Sequence, residues 1–280
     1  RRDGAGNGDH AGFAGGESSS GKNISAFFND GTYYKSQDGI TSYSVDLNFE
    51  EKKFPLAVYF CKNCKLVQLL DVVNPEILFR NYDYMTSASR PLADHFEEMA
   101  NEIADNFLEN NNELVVEIGG NDGVLLNVIK YKCKVLNIEP AENIAEISNQ
   151  KGIETISEFF TKNLAEQILQ KYGSAKIIVA NNVMAHIDDI KNVFGGIKIL
   201  IGDSGILIFE VHWVGNLIKD GGFDQIYHEH LCYYSLHSLI NLVEQFGLNI
   251  FDIKLVPIHG ESLRVYVGKN FIIKNSVKEF

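Results

Sequence analysis

The stretch from residue 115 to residue 123 constrains the fold more than any other part of this 280-residue chain. It reads Val-Val-Glu-Ile-Gly-Gly-Asn-Asp-Gly, a short β-branched run that ends in an acidic residue and then breaks into glycines. A buried parallel strand that passes into a nucleotide-binding turn has this pattern. Glycine suits such a turn because a Cβ would block both its backbone angles and the close approach of a ligand. The amides that open the following helix then face the ligand.

From residue 113 onward, strand and helix patterns alternate, which predicts an α/β fold with a parallel sheet and helices on both faces. Two apolar runs near the end of the chain, 248–257 and 262–268, are separated only by a short polar turn and should pair as an antiparallel hairpin. A parallel, Rossmann-like sheet closed by such a hairpin is the sheet of class I methyltransferases. A typical dinucleotide-binding fold would continue with parallel strands. The expected strands are 114–118, 134–138, 153–155, 175–180 and 205–211, and the expected helices are 122–131, 141–151, 160–172, 188–201 and 236–246.

The chain before this sheet divides into two parts. Residues 1–24 are rich in Gly, Ser, Asn and Asp and carry too little apolar surface to offset chain entropy, so we expect a flexible arm. Residues 25–84 contain short aromatic and β-branched pieces, which predict a small β-rich, zinc-ribbon-like module. Cys61 and Cys64 have the spacing that lets two thiolates reach one tetrahedral zinc. No second cysteine pair precedes them, so zinc is doubtful and buried structural cysteines are the alternative.

Two acidic residues indicate which cofactor the glycine turn would hold. Glu117 lies immediately before the glycines, where a carboxylate can bind the positively charged amino acid end of S-adenosylmethionine but would repel a pyrophosphate. Glu139 ends the next strand and is placed to accept hydrogen bonds from both ribose hydroxyls, a feature shared with NAD sites. We therefore expect S-adenosylmethionine. The predicted cofactor-binding residues are Glu117, Gly119, Gly120, Asn121, Asp122, Gly123, Glu139, Pro140, Glu158, Phe159, Asn181 and Asn182.

The densest group of acid-base residues follows the fifth predicted strand. Tyr227, His228, Glu229 and His230 are consecutive, and burial and mutual contact can move the pKa values of such groups toward neutrality. His186 follows the fourth strand, whose carboxyl end borders the ligand crevice of an open α/β sheet. A zinc site and a solvated polar loop are the competing interpretations of residues 227–230. Adjacent residues do not easily converge on one ion.

Five segments together resemble the nucleotide-sugar C-methyltransferases, which act on dTDP-linked 4-keto deoxysugars. The resemblance extends from about residue 54 to residue 268. It is carried by Tyr-Asp-Tyr at 82–84, the glycine turn, Asn-Asn-x-x-x-His at 181–186, Phe-Asp-Gln-Ile-Tyr-His-Glu-His at 223–230 and His-Gly-Glu-Ser-Leu-Arg at 259–264. It implies a zinc-binding module before the methyltransferase domain and a second Rossmann-like domain after it.

The resemblance also implies roles for individual residues. His230 would be the base that takes a proton at C3 of the sugar, with Glu229 and Tyr227 beside it. His186 and a tyrosine of the 82–84 segment, Tyr84 by preference, would line the sugar pocket. No metal is required for this chemistry. The implied substrate-binding residues are Tyr82, Ser87, Ser89, His259 and Arg264.

This chain departs from the family pattern at three places. The upstream cysteine pair is absent, the C-terminal domain is missing, and Glu261 stands where the family has glycine. We assign residues 85–270 to the methyltransferase domain and 271–280 to a tail or the start of the missing domain. The departures leave a catalytically inactive S-adenosylmethionine-binding or scaffold protein as an alternative to the enzyme. An NAD-dependent sugar-nucleotide oxidoreductase is a second alternative.

The net charge and hydropathy of the sequence argue against some classes of binding partner. A formal charge of −12 argues against a nucleic acid or an anionic membrane surface, since both attract a basic field. No apolar run approaches the length of a membrane span. We therefore expect a cytoplasmic protein that binds a small-molecule nucleotide sugar, with its oligomeric state open.

Overall fold

The computed structural model describes residues 33–35, 41–43, 54–258 and 260–280. The predicted arm at 1–24 and the predicted substrate ligand His259 lie outside these residues. The first strands are β1 (Tyr33–Lys35), β2 (Thr41–Tyr43), β3 (Val58–Phe60) and β4 (Val67–Leu69). β4 lies between β3 and the later strand β10 (Cys232–Tyr233), so the N-terminal segment shares a small antiparallel sheet with the stretch after residue 230.

Seven strands form the main sheet: β5 (Leu114–Ile118), β6 (Lys134–Ile138), β7 (Thr155–Ile156), β8 (Ile177–Asn181), β9 (Ile206–His212), β11 (Asn249–Val256) and β12 (Ser262–Gly268). Their order is β11-β12-β9-β8-β5-β6-β7. The first five run parallel, and β12 is antiparallel to both β9 and β11. The strand order reverses at β5, and ligand crevices of open α/β sheets form at such a point, beyond the carboxyl ends of the strands. The predicted class I sheet with its terminal hairpin is confirmed.

Helices cover both faces of this sheet. The long helix α2 buries Phe96, Met99 and Ile103 against one face, as its apolar spacing predicts, and Pro91 occupies its first turn. On the other face, Phe194 packs against Phe209 of β9. The helices are α1 (Pro75–Phe79), α2 (Arg90–Phe107), α3 (Val124–Ile129), α4 (Glu142–Gln150), α5 (Lys162–Tyr172), α6 (Ile190–Ile201), α7 (Val214–Asp220), α8 (Leu236–Glu244) and α9 (Asn275–Lys278).

Sequence patterns do not predict four short elements: α1, α7, α9 and β10. Each is seven residues or fewer, too short for a periodic pattern to stand out. The end of the chain packs on the sheet, since the amide of Lys274 donates to the carbonyl of Phe251 in β11. Within the described part of the chain, no helix combines the length and apolar character that a membrane crossing requires.

Candidate active site

A cavity of about 560 Å³ lies beyond the carboxyl ends of the parallel strands. Its wall combines the glycine turn, the ends of β6, β8 and β9, the segment between α1 and α2, and the 225–230 loop. Fifteen predicted site residues meet in this wall: Tyr82, Tyr84, Glu117, Gly119, Gly120, Asn121, Glu139, Pro140, Phe159, Asn181, Asn182, His186, Tyr227, Glu229 and His230. Residues far apart in the sequence therefore converge on one chamber.

The glycine turn has no room for side chains where it borders the cavity. Gly119 has φ +63°, and a Cβ there would overlap the side chain of Val183. A Cβ on Gly120 would lie 2.8 Å from Oε2 of Glu117, closer than real atoms approach. Asn121 also has a left-handed backbone, with φ +51°, which asparagine tolerates better than most residues. The turn thus brings its backbone, rather than side chains, close to the position of a ligand.

Glu117 and Glu139 give the glycine turn an acidic rim. Oε2 of Glu117 is buried and has no hydrogen-bond partner among the described residues. Burial, with Glu139 and Asp122 nearby, raises the pKa of Glu117 to about 8. The two oxygens of Glu139 accept the amides of Asn121 at 2.9 Å and Ala141 at 3.0 Å. Burial still raises the pKa of Glu139 to about 7.

These residues fit S-adenosylmethionine. A buried carboxylate oxygen without a donor is costly, and an ammonium group would satisfy it. Each carboxylate oxygen has two acceptor sites, so Glu139 can receive ribose hydroxyls in addition to its two amides. The negative charge of a pyrophosphate placed against Glu117 would oppose ionisation of this carboxyl group, whereas an ammonium group favours it. The geometry therefore favours a cationic amino acid end over a dinucleotide.

His230 has a defined tautomer. Its Nδ1 lies 2.9 Å from the carbonyl oxygen of Gln225, which only accepts hydrogen bonds, so Nδ1 carries the proton. Nε2 of the neutral ring then holds a lone pair, and the hydroxyl of Tyr227, 3.0 Å away, donates to it. Burial and the nearby Glu229 raise the pKa of Tyr227, so this hydroxyl keeps its proton near neutral pH. The pair presents a base whose lone pair is aligned by a phenol.

A second tyrosine meets the carboxylate of the same loop. The hydroxyl of Tyr82 donates to Oε2 of Glu229 at 3.2 Å. Burial raises the pKa of Glu229 to about 7, although the Tyr82 hydrogen bond acts in the opposite direction. A carboxyl group with this pKa changes charge near neutral pH, as acid-base catalysis requires.

Two further histidines surround His230. The ring centroid of His186 lies 5.1 Å from that of His230, and the centroid of His212 lies 4.9 Å from it. Burial, helped by the proximity of His212, lowers the pKa of His186 to about 3. His186 is therefore neutral at physiological pH, and it can polarise an oxygen without carrying a formal charge.

The 227–230 loop is not a solvated polar loop. His228, Glu229 and His230 are 0%, 8% and 4% exposed. Nε2 of His228 lies 3.0 Å from the carbonyl oxygen of Pro55, which makes it a donor to the N-terminal segment. His228 does not line the cavity. The loop divides its consecutive side chains between the chamber and the protein interior.

Six of the predicted cofactor-binding and substrate-binding residues of the described chain do not reach the cavity wall: Ser87, Ser89, Asp122, Gly123, Glu158 and Arg264. Asp122 is fully buried behind the turn, where Lys151 donates to it at 2.8 Å. Glu158 is exposed and lies 3.7 Å from Arg80. These carboxylates are engaged by cations outside the chamber.

Arg264 requires a correction of its predicted substrate contact. The residue is 3% exposed, and its Nε donates to Oε1 of Glu210 at 2.7 Å. Its NH1 donates to Glu102 at 3.0 Å, and His95 also bonds Glu210 at 2.9 Å. A charge buried in the core of the sheet needs partners of opposite charge there, and Arg264 finds them between β9 and α2.

Several cavity residues are absent from the sequence-based list. These are chiefly Phe79, Thr86, Thr161, Asp188, Asp189, Asn192, His212 and Gln225. The sequence contains a recognisable signal for two of these residues, Asp189 and His212. Asp189 has the position of a helix cap, and its side chain accepts the amide of Asn192 at the start of α6. His212 is the last residue of β9, at the same sheet edge as His186.

The Cys61-x-x-Cys64 turn contains two of the four ligands that a structural zinc site would need. Hydrogen bonds from the amide of Cys64, from its side chain and from the amide of Asn63 lower the pKa of Cys61. Such bonds favour the thiolate that binds zinc. The described part of the chain contains no group of three or more His, Cys, Asp or Glu residues arranged to hold a metal. These residues alone do not form the four-ligand set of a structural zinc site.

The sheet order, the glycine turn and the acidic rim define a class I, S-adenosylmethionine-dependent methyltransferase domain. A family model described as "Methyltransferase domain" matches residues 92–253, more than half of the chain, and the chain belongs to this family. A second model, described as "Putative zinc binding domain", matches residues 41–79.

One curated relative is the C-methyltransferase NovU of Streptomyces niveus, 34% identical over 219 residues. The alignment covers 78% of this chain and 52% of the relative, so the chain spans about half the length of the curated relative it matches.

One similar solved structure is a complex between the Haloferax volcanii Trm112 methyltransferase activator and a protein described as a "putative methyltransferase". Its TM-score is 0.50 at 10% identity, and the match covers 66% of this chain and 95% of that chain. The magnesium protoporphyrin IX methyltransferase of Synechocystis PCC 6803 has a TM-score of 0.47 at 14% identity, covering 64% and 83%. At these identities the likeness concerns the fold alone.

Proposed function

We propose that this chain transfers a methyl group from S-adenosylmethionine to a carbon atom beside the ketone of a nucleotide-linked sugar. The observation that carries the proposal is the Tyr227–His230 pair, which places an imidazole hydrogen-bonded to a phenol in the same chamber as the cofactor rim. The 34% identity to a C-methyltransferase supports carbon as the acceptor atom. A cytoplasmic location and a small-molecule partner belong to the same proposal.

The cofactor would be held by two carboxylates. Glu117 would bind its ammonium group and Glu139 its ribose hydroxyls, while the glycine turn approaches it with bare backbone. When bound, S-adenosylmethionine supplies an electrophilic methyl group. The protein's own task is to generate a carbon nucleophile and to hold it in line with that methyl group.

A proton beside a ketone is too weakly acidic for unaided removal at neutral pH, so the base and the enolate oxygen both need help. Nε2 of His230 is the final proton acceptor. The Tyr227 hydroxyl is hydrogen-bonded to this lone pair and relays the proton. Its oxygen accepts the proton from the sugar carbon while its own proton moves to Nε2 of His230. The carbonyl of Gln225 holds the resulting imidazolium through Nδ1. Neutral His186 can donate to the enolate oxygen.

The two alternatives have weaker support. The side chain of Glu261, which raised the inactive-protein alternative, is exposed and does not line the cavity. Oxidoreductase activity would need a dinucleotide pyrophosphate beside the carboxylate of Glu117.

The test combines calorimetry with S-adenosylmethionine and mass spectrometry of a dTDP-4-keto-6-deoxysugar reaction. The intact protein should bind the cofactor and add one methyl group to the sugar. His230→Asn should lower turnover by at least about 10²-fold, the usual contribution of a general base, with cofactor affinity nearly unchanged. His237→Asn, on the exposed face of α8, is the matched control. Absence of both methyl transfer and solvent exchange of the sugar proton in the intact protein would overturn the proposal.

A further inference from the structure

The strap, defined as residues 80–86, lies between α1 and α2 and lines the cavity with Tyr82, Tyr84 and Thr86. We propose that Asn143, which lies outside the cavity wall, is a positioning residue that holds the strap so that Tyr82 meets Glu229. The catalytic consequence of this inference rests on the proposed function. The structural consequence concerns the ionisation of Glu229 and does not require any reaction.

Both polar atoms of the Asn143 side-chain amide form hydrogen bonds with the backbone of one strap residue, Tyr82. Its Nδ2 donates to the carbonyl oxygen of Tyr82 at 2.7 Å, and its Oδ1 accepts the amide of Tyr82 at 3.2 Å. A pair of antiparallel strands uses the same reciprocal pattern between two backbones. Two bonds to one residue fix both the position and the rotation of its backbone, and therefore the direction of its side chain.

The side chain of Tyr82 depends on that direction. Its hydroxyl reaches Glu229, 147 positions later in the chain, at 3.2 Å, near the upper end of the hydrogen-bond range. Its ring has edge contacts with Phe79 at 5.9 Å and Tyr84 at 6.4 Å, both on or beside the strap. These neighbours would move with the strap. A shift of about 1 Å would break the bond to Glu229, because hydrogen bonds weaken steeply beyond their normal length.

A second asparagine anchors the other half of the strap. Asn121 of the glycine turn accepts the amide of Thr86 at 2.8 Å and donates to the carbonyl of Tyr84 at 3.0 Å. The strap is therefore tied to the two loops that form the cofactor rim, at the glycine turn and at the start of α4. Asn143 is the better test residue, since Asn121 itself lines the cofactor site.

The Tyr82 bond has an electrostatic effect that an experiment can follow. Burial raises the pKa of Glu229, and the Tyr82 hydroxyl holds that pKa down. The other titratable groups that line the chamber here include Tyr227 and His230 on the same loop, His186 after β8 and His212 at the end of β9. Glu139 after β6 also acts on Tyr82, whose pKa it raises. The two described hydrogen bonds of the Asn143 side chain both go to the backbone of Tyr82. Loss of the asparagine should therefore change Glu229 through Tyr82.

The experiment compares Asn143→Ala, Tyr82→Phe and the double variant, with no cofactor or sugar present. Carbon-13 NMR of protein labelled at the glutamate carboxyl carbons follows the titration, and Glu229→Gln identifies the resonance. Each single variant should raise the apparent pKa of Glu229, and the double variant should raise it no further than Tyr82→Phe alone. This non-additivity is the mark of a residue that acts through another.

Asn101→Ala is the matched control, since Asn101 is an exposed helix asparagine whose amide only bonds the carbonyl of Glu97. Its Glu229 titration should match that of the unchanged protein. An unchanged Glu229 pKa in Asn143→Ala, or a double variant with the sum of the two single effects, would overturn the proposal.

Turnover is measured separately. In the methyl-transfer assay, kcat of Asn143→Ala should fall about tenfold, a typical consequence of a small misplacement, with cofactor affinity within twofold. In the Tyr82→Phe background the same substitution should have no further effect. If the titrations behave as expected while the intact protein methylates nothing, the proposed function fails and the positioning role stands.

Discussion

Nε2 of His228 donates a hydrogen bond to the carbonyl oxygen of Pro55 at 3.0 Å, which joins the loop of acid-base residues to the N-terminal segment. The ring of Phe54 adds an edge contact at 6.0 Å. At the end of β4, the amide of Leu69 donates a hydrogen bond to the carbonyl of Leu231 at 2.9 Å. The N-terminal segment therefore supports the loop directly, and it is not an independent appendage in the structure.

His228→Phe keeps an aromatic ring and removes this donor, which leaves the carbonyl of Pro55 without its partner. We expect the free energy of unfolding to fall by about 0.5–1.5 kcal/mol, the net contribution of one hydrogen bond, because Pro55 is exposed and water can replace the lost donor. Chemical denaturation measures it. His237→Phe, at an exposed position of α8, should change stability by less than about 0.5 kcal/mol. Equal losses of unfolding free energy in the two variants would show that the hydrogen bond to Pro55 does not contribute measurably to stability.

Cofactor binding should release a proton at neutral pH. The pKa of Glu117 is raised to about 8, so this carboxyl group is largely protonated at pH 7. An ammonium group favours the ionised form and lowers the pKa, and the proton then leaves. Calorimetry in buffers of different ionisation enthalpy measures the release, which should decrease as the pH rises above about 8.

Glu117→Gln supplies the control for this linkage. The amide cannot ionise, so most of the proton release should disappear and cofactor affinity should fall. Glu158→Gln removes an exposed carboxylate outside the cavity and should leave both quantities unchanged. Undiminished proton release in Glu117→Gln would assign the linkage to another group.

The sequence predicts the scaffold of the site well because the scaffold follows local rules. The strand from Leu114 to Ile118 begins and ends where the apolar run and the glycines indicate, and the terminal hairpin follows from two apolar runs around a short turn. The chemical groups that follow parallel strands necessarily meet at one sheet edge. For this reason the sequence predicts that Glu117, Glu139 and His186 lie close together, and all three line the cavity.

The remaining site residues depend on long-range packing. The role of Arg264 depends on Glu210 and Glu102, which lie 54 and 162 positions away, and no local pattern encodes that pairing. Asn143 follows the predicted ribose loop, but its contact with Tyr82 spans 61 positions. A motif shows which residue types stand together in the sequence. It does not show which of them face the chamber.

Arg264→Met should be strongly destabilising. The substitution leaves the carboxylate of Glu210, 0% exposed, without its closest cation. Breaking a buried ion pair on one side typically costs about 3–5 kcal/mol. Lys254→Met removes a half-exposed partner of Glu102 and should cost less than about 1 kcal/mol, the value of a surface pair. Urea denaturation of the two variants distinguishes a structural ion pair from a substrate ligand, since a ligand would leave the stability of the free protein nearly unchanged.

Glu261→Gly should stabilise the protein. Glu261 has φ +72°, a left-handed conformation that costs a residue with a Cβ roughly 1 kcal/mol and costs glycine nothing. Its side chain is exposed and has no hydrogen bond to any residue that the structure describes, so little is lost on removal. Glycine also gains entropy in the unfolded chain, which offsets part of the benefit. We expect a net gain of up to about 1 kcal/mol in the free energy of unfolding, measured by thermal denaturation.

Gly260→Ala is the reciprocal control at the neighbouring position. Gly260 has φ +74°, and a Cβ there would meet no atom within 4 Å, so any loss of stability reports backbone strain alone. This variant should lose about 1 kcal/mol. If Glu261→Gly were instead destabilising while Gly260→Ala behaved as expected, the carboxylate would have a role that outweighs its strained backbone. The hairpin tip would then be a site where this chain uses the carboxylate of Glu261.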